Sequence, residues 1–568
     1  MIRLVARWSS SIALGLLVVG PPAAIAACAL VDLGPDGELR ATLFPVAIAA
    51  LDPFVWTCLR QSATTAGLAS LTAVVVGVVV GRLIGDRAFR LRPAALALLT
   101  AIASMPPVAL AIGAATFLAG DAAGAWSGLV GRSGPLARFC PADPNWLVWF
   151  GAATLPGAAA GVLAYAAALD RLDPSWRDAA RMAGGGGTRV WRRLAWPLIR
   201  PAMARVAGLV FAITLADPGP PLILGLRRTL GFQVVSVGLG PSPFPRVAVL
   251  GLLALLVCAA VRGGLRLWAG PTRLDDAPRR GRDEASARVP ASWPRLFALA
   301  TILGLASGLA VAPLAGLVGM LGDAGGEATG PGTLTARLVD PTTTRMLGRS
   351  LVLGLGVAAL VGISARAIGR LEAGAGAAAA GRFRRLARLA APPPLVAGVA
   401  ILAFGLLIRH GAGQVDARTS LAATSLLELP GGDCGMLFAP ILGVWLATIW
   451  ARLDGRRPPR GGGSASARDA ALLAGAGRNK ARRLARDANA GRRWRAAAAV
   501  AAAAAVNVAP AVLLASSPQV ATVGAGLLLS HERPDGGAAV AAALALLATA
   551  ACAASAFLDP RESPSQPG

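Results

Sequence analysis

Very few side chains in this sequence could do chemistry, and their spacing rules out several kinds. A nucleotide-binding P-loop needs GxxxxGK[ST], in which the lysine reaches the phosphates and the hydroxyl holds magnesium. The chain has a single lysine, Lys480 in "RNKAR", with no such glycine pattern before it. Its two histidines, His410 and His531, stand alone, and its six cysteines show no CxxC or Cys/His metal spacing. Cys28, Cys58, Cys258 and Cys552 lie in or beside apolar runs, where cysteine usually serves as a small packing residue. Cys140 and Cys434 fall in predicted outer loops, which leaves a disulfide between them open. Among residues in apolar surroundings, Asp217 is a candidate by default, because an ionisable group inside a membrane is seldom idle. Asn507 stands at the equivalent place later in the chain, and Pro220 and Pro510 follow. These four residues could line a path through the helices or cap a helix at its outer end.

The other stretch dense in functional groups is "DAARMAGGGGTRVWRRLAWPLIRPA", Asp178 to Ala202, with a shortened echo, "DAALLAGAGRNKARRLARDA", from Asp469 to Ala488. Asp173 followed by Pro174 predicts a helix start, an N-cap oxygen and then proline at the first helical position. "SWRDAARMA" continues as a short helix, and glycines 184–187 end it through the left-handed backbone that glycine reaches freely. A basic segment then returns to the membrane with Pro197 at the interface. A short surface helix beside flexible glycine suits docking onto another protein. An ordinary basic loop would look similar on these residues alone.

The surroundings decide the class. Of 568 residues 55% are hydrophobic and only 15% charged, against about 25% charged in a soluble domain. Apolar runs fall near 9–30, 60–84, 93–119, 146–168, 202–224, 245–268, 295–321, 345–366, 390–408, 436–451, 496–516 and 538–557. Many exceed the roughly 18 residues that mark a spanning helix. The pattern predicts an all-α polytopic membrane protein with about 12 transmembrane helices. A net charge of +26 does not indicate nucleic acid, because the arginines recur in short clusters between apolar runs. About 40 of the 55 Lys and Arg lie on one set of alternate connections, which the positive-inside rule places in the cytoplasm with both termini. The first run resembles a signal peptide, with "IAAC" at Ile25 to Cys28 like a cleavage site, but an uncleaved helix fits the even count of spans.

The chain also repeats itself. "LRQSATTAGLASLTAVVVGVVVGRL" from Leu59 aligns with "LGRSLVLGLGVAALVGISARAIGRL" from Leu347 at an offset of 288, Ser62 on Ser350 and Gly81-Arg82-Leu83 on Gly369-Arg370-Leu371. "MPPVALAIG" is answered by "PPPLVAGVAILAFG", and "DPGPPLIL" from Asp217 by "NVAPAVLL" from Asn507. The expected organisation is a first half over 1–271 with its loop at 169–201, a cytoplasmic linker at 272–294, and a second half over 295–568 with its loop at 452–495. Six helices per half give both halves one orientation and a pseudo-twofold along the membrane normal.

The loop resembles the EAA motif of bacterial ABC importer permeases, E-A-A, three residues, G, nine residues, I-x-L-P. Asp178, Ala179 and Ala180 stand at E-A-A, Gly184 at the glycine and Pro197 at the proline, with Leu194 and Trp196 at the I and L positions. The second copy keeps Asp469, Ala470, Ala471 and Gly475 but has Ala485, Asp487 and Ala488 at I, L and P. Two fused halves are similar to the ferric-iron and thiamine permeases. The resemblance implies two tandem type I permease halves in the bacterial inner membrane, with coupling helices that seat on two copies of a cytoplasmic ABC ATPase. It implies a periplasmic or extracellular solute-binding protein as the other partner. ATP and Mg would belong to the ATPase, this chain would bind no cofactor and perform no catalysis, and the solute would be ferric iron, or alternatively thiamine, a polyamine or sulfate. A secondary transporter and a non-transporting scaffold are the rival readings. The first should carry more buried ionisable residues for ion coupling, and the second would fit the degenerate second loop.

Overall fold

The computed structural model describes residues 2–33, 39–85, 87–88, 92–119, 144–169, 182, 191–239, 244–270, 289–290, 341–375 and 396–403, with scattered positions at 297–311 and 441–446. In chain order α1 (Ile2–Ala29) leads into strands β1 (Val31–Leu33) and β2 (Leu39–Ala41), then α2 (Phe44–Leu51) and α3 (Pro53–Gly85). Strand β3 (Arg87–Ala88), α4 (Arg92–Ser104), α5 (Pro107–Ala119) and α6 (Pro144–Leu169) follow. A π-helical turn at Trp191–Ala195 opens α7 (Trp196–Ala216), which gives way to α8 (Gly219–Ile223), α9 (Leu230–Leu239) and α10 (Phe244–Ala269). Beyond them come β4 (Val289–Pro290) and α11 (Pro341–Ala375). The strands form two minimal pairs, β1 with β2 antiparallel and β3 with β4 parallel.

Five of these helices are long and apolar enough to cross a membrane: Pro53–Ile84, Asn145–Leu169, Trp196–Ile223, Pro245–Ala269 and Thr344–Ser364. The run expected as one span at 93–119 is broken into two helices, α4 and α5, which together are apolar enough for a sixth span and are bent by 86° at Ser104-Met105-Pro106-Pro107. Proline lacks the N–H that would continue the ladder and crowds the turn before it, so two in sequence break the helix. This is a membrane protein built of helices. Its faces confirm the setting: α3 turns Leu68, Leu71, Val75 and Val79 outward and buries Ala66, Ala69 and Ala73. A water-soluble helix would do the reverse; small residues inside and large apolar ones outside suit lipid.

Small residues let the backbones meet. Helix α6 lies along α3, and α7 packs against both. A methyl group on Gly161 would run into the carbonyl oxygen of Ala73, and one on Gly77 would come within 2.8 Å of the Gly161 backbone. Helix α1 packs against α10 and α11, and the buried Cys28 thiol points to the Ala403 carbonyl at 3.7 Å. A peptidase cut after α1 would strip that packing.

Helices α3 and α11 share more than sequence texture. Both start on an Asp-Pro pair, Asp52-Pro53 and Asp340-Pro341, again 288 residues apart. In the first, the Phe54 N–H donates to Asp52 Oδ1 at 2.8 Å, the capping bond that such a pair supplies. At the same offset Ser62 and Ser350, Thr65 and Leu353, Ala69 and Val357, Ala73 and Val361, and Val80 and Ile368 are all buried. Each helix also receives a tryptophan, at positions that the 288-residue offset does not superpose. Trp146 Nε1 donates to Thr65 Oγ1 at 2.8 Å, and Trp445 Nε1 donates to Ser364 Oγ at 2.8 Å. Each hydroxyl in turn donates to the carbonyl four residues before it, Gln61 or Leu360.

Candidate functional site

At the arginine-rich end of the bundle, the residues returning from the first quoted loop enter a joint of aromatic rings and guanidinium groups. Tyr165 on α6 is fully buried, and its hydroxyl accepts a hydrogen bond from Trp191 Nε1 at 2.9 Å. Gly81 makes room for it: a Cβ there would sit 2.7 Å from that of Tyr165. The neighbouring Arg82 places its guanidinium 5.2 Å from the Trp191 ring centre. Trp191 stacks on Trp196 at 5.6 Å, and Trp196 meets the edge of Trp268 at 6.1 Å. Arg200 lies 5.5 Å from the Trp268 ring centre and donates twice to the Ala269 carbonyl, at 3.1 and 3.0 Å. Cations suit the last carbonyls of a helix, and Gly270, at φ +71°, supplies the left-handed residue that closes α10. Each cation–ring contact contributes about 0.5–2 kcal/mol, so their chief effect is to fix geometry. The start of α7 is thereby tied to α3, α6 and α10 together.

Pro197, the last residue of the expected motif, is the second residue of α7, just past the π-helical turn at Trp191–Ala195. Asp178, Ala179, Ala180 and Gly184 lie outside the described residues, as do Asp469, Ala470, Ala471, Gly475, Asn507 and Pro510. Cys140, Cys434, His410 and His531 lie outside them too. Among the described residues no three His, Cys, Asp or Glu side chains cluster where a metal ion could be held.

At the opposite end, Asp217 and Pro220 stand where α7 breaks into α8. Asp217 Oδ1 accepts the Gly219 N–H at 3.1 Å, an Asx turn that lets the chain bend while keeping its polar groups paired. Gly219 allows this break to meet the other one, since a Cβ there would lie 2.9 Å from that of Val108 on α5. The two proline breaks, at Pro106-Pro107 and at Pro218 to Pro221, therefore sit against each other. Gly225, at φ +65°, turns the chain toward α9, and Asn145 Nδ2 holds the Leu224 carbonyl at 3.2 Å. The fully buried Ser62 Oγ accepts the Leu230 N–H at 2.8 Å and so caps α9 from α3. Ser62→Ala leaves that buried donor unpaired, and a loss of about 1–3 kcal/mol is expected, measured as a lower unfolding temperature in detergent.

The residues of the joint, Arg82, Tyr165, Trp191, Arg200 and Trp268, and the Ser62 cap were not singled out as site residues on sequence. The signal was present in part: the GRL triplet at Gly81 to Leu83 recurs at Gly369 to Leu371, and its first copy is the triplet that admits Tyr165 and stacks Arg82.

No family model, curated protein or solved structure matches this chain. What it does must be argued from its own residues.

Proposed function

We propose that the chain is the permease subunit of an ATP-binding-cassette importer, both halves fused, in a bacterial inner membrane with its termini in the cytoplasm. The observation that carries this reading is the spacing of Asp178-Ala179-Ala180, Gly184 and Pro197 on a segment whose far end is clamped into the bundle. A loop that receives force must be stiffly joined to the helices it moves. Trp191 bonded to Tyr165 and stacked under Arg82 provides that stiffness toward α6 and α3, and Trp196 against Trp268 provides it toward α10. The shared Asp-Pro starts and shared buried register of α3 and α11 support two parallel halves.

In this reading two ATPase subunits close on the loops around Asp178 and Asp469, and hydrolysis of ATP with Mg takes place wholly on them. The closure swings α7 through the joint and alternates access at the opposite end, where Asp217, Pro220, Asn507 and Pro510 are the candidate path residues. A solute-binding protein delivers the solute there, ferric iron in the first instance, with thiamine, a polyamine or sulfate as the alternatives. Gentle co-purification of the tagged chain from native membranes, with mass spectrometry of what accompanies it, tests this. A P-loop ATPase and a secreted binding protein are expected, and the ligand of the latter names the solute. A chain that comes alone even after crosslinking would overturn the reading.

A further inference from the structure

The joint has an exposed side. On α10 Leu267 is 86% and Trp268 44% exposed, directly after the exposed Arg266. Across from them, Arg192 and Arg193 are exposed on the π-helical turn, one turn from the Trp196 ring that meets Trp268 at 6.1 Å. Among the described residues no carboxylate pairs with Arg192, Arg193 or Arg266, whereas Arg246 at the other end reaches Asp52 at 3.9 Å. Arg200 and Arg82 are already engaged, on the Ala269 carbonyl and the Trp191 ring, and they hold the aromatic floor in place.

Three guanidinium groups that meet no carboxylate among the described residues thus stand beside an exposed indole and an exposed leucine at the end of two membrane helices. A soluble anion would answer the charge but leave Leu267 and Trp268 in water. A molecule with an anionic head and an apolar tail answers both, since arginine and tryptophan at a helix end sit at headgroup level with apolar surface just below. We propose that the exposed surface formed by the Trp191–Ala195 turn and the last turn of α10 seats the headgroup of an anionic phospholipid. Basic pockets between helices bind such headgroups, and each arginine near the surface adds to the preference. Because Arg200 and the three tryptophans fix the floor beforehand, little ordering remains to be done on binding. The lipid would bridge the Trp191–Ala195 turn and α10, and this holds whether or not the chain belongs to a transporter.

The full chain, delipidated in detergent, is titrated with phosphatidylglycerol or with phosphatidylcholine of the same acyl chains, and bound lipid is counted by native mass spectrometry. Wild type should prefer phosphatidylglycerol by roughly tenfold or more, and the triple variant R192Q/R193Q/R266Q should lose most of that preference. Trp268→Ala should weaken retention of the anionic lipid while leaving the charge intact. Glycerol 3-phosphate in millimolar excess should not displace the lipid; displacement would mean a site for free phosphate groups and would overturn the proposal. So would a wild type without preference, or a triple variant that retains lipid as wild type does. If that variant kept its lipid but lost a co-purifying ATPase, the arginines would belong to a protein contact instead. Should the triple variant fail to fold, the wild-type preference at rising salt decides, because an electrostatic seat must weaken.

Discussion

Deleting Asp173 to Gly187 is expected to abolish co-purification of an ATPase and any ATP-driven uptake, while the helices remain folded. The deletion removes the expected surface helix and all four glycines of its run, but it leaves Trp191 to Ala269 and the joint they form untouched. Two measurements separate the effects. Circular dichroism and a symmetric elution profile in detergent should match wild type, and ATPase recovered with the tagged chain should fall to background. A milder change, Gly184→Val, places a β-branched residue where the surface helix is expected to end and should lower recovery roughly five- to thirtyfold, by roughly 1–2 kcal/mol of backbone strain. The same change at Gly475 should do less, because the second copy has lost its proline and flanking apolar positions, with Ala485, Asp487 and Ala488 in their place. Normal assembly and transport after the deletion would remove the coupling assignment.

Substituting Gly161 by valine is expected to have the largest effect on stability of any single change. The new Cβ would meet the Ala73 carbonyl oxygen and the Gly77 Cα, which belong to the backbone of α3 and have no rotamer to give way. Over-packing of this kind destabilises by about 1–3 kcal/mol where side chains can shift, and about 3 kcal/mol or more is expected here. The readout is thermal unfolding in detergent and the yield of monodisperse protein. Gly151 on the same helix is the internal comparison, since a Cβ there meets nothing within 4 Å. Gly151→Ala should be neutral or stabilising by up to about 1 kcal/mol, from helix propensity alone. Equal behaviour of the two variants would mean that α3 and α6 do not touch in the way described.

Much of the fold was legible because hydropathy and proline are local signals. Helices α3, α6, α7, α10 and α11 lie where apolar runs between arginines place them, to within several residues. The bend at Met105 was missed because a run average smooths over a two-proline break that leaves hydropathy unchanged. The loop that carries the resemblance lies outside the described residues, and Pro197 at its return stands in the first turn of α7. The joint behind it was not legible, because its partners are remote in sequence. Trp191 and Tyr165 are 26 residues apart, and Arg200 and Ala269 are 69 apart. Nothing in a single sequence says which of 13 tryptophans will stack on which arginine. Asp217 was a candidate because it is charged in apolar surroundings. The Asx turn that engages it depends on its backbone, which hydropathy does not report.

The seat of α1 against α10 and α11 sets a condition on how the protein is made. Ala29 leaves the ribosome roughly 300 residues before Pro341. At about 5–20 residues per second that gap is roughly 15–60 s. Through that interval the face of α1 that carries Cys28 can be met by α10 once it is inserted, but not yet by α11 or by the Ala403 carbonyl. Helix α1, made before the other described helices, is thus among the last of them to be fully enclosed, and until then lipid or the insertion machinery must occupy the place that the later helix will take.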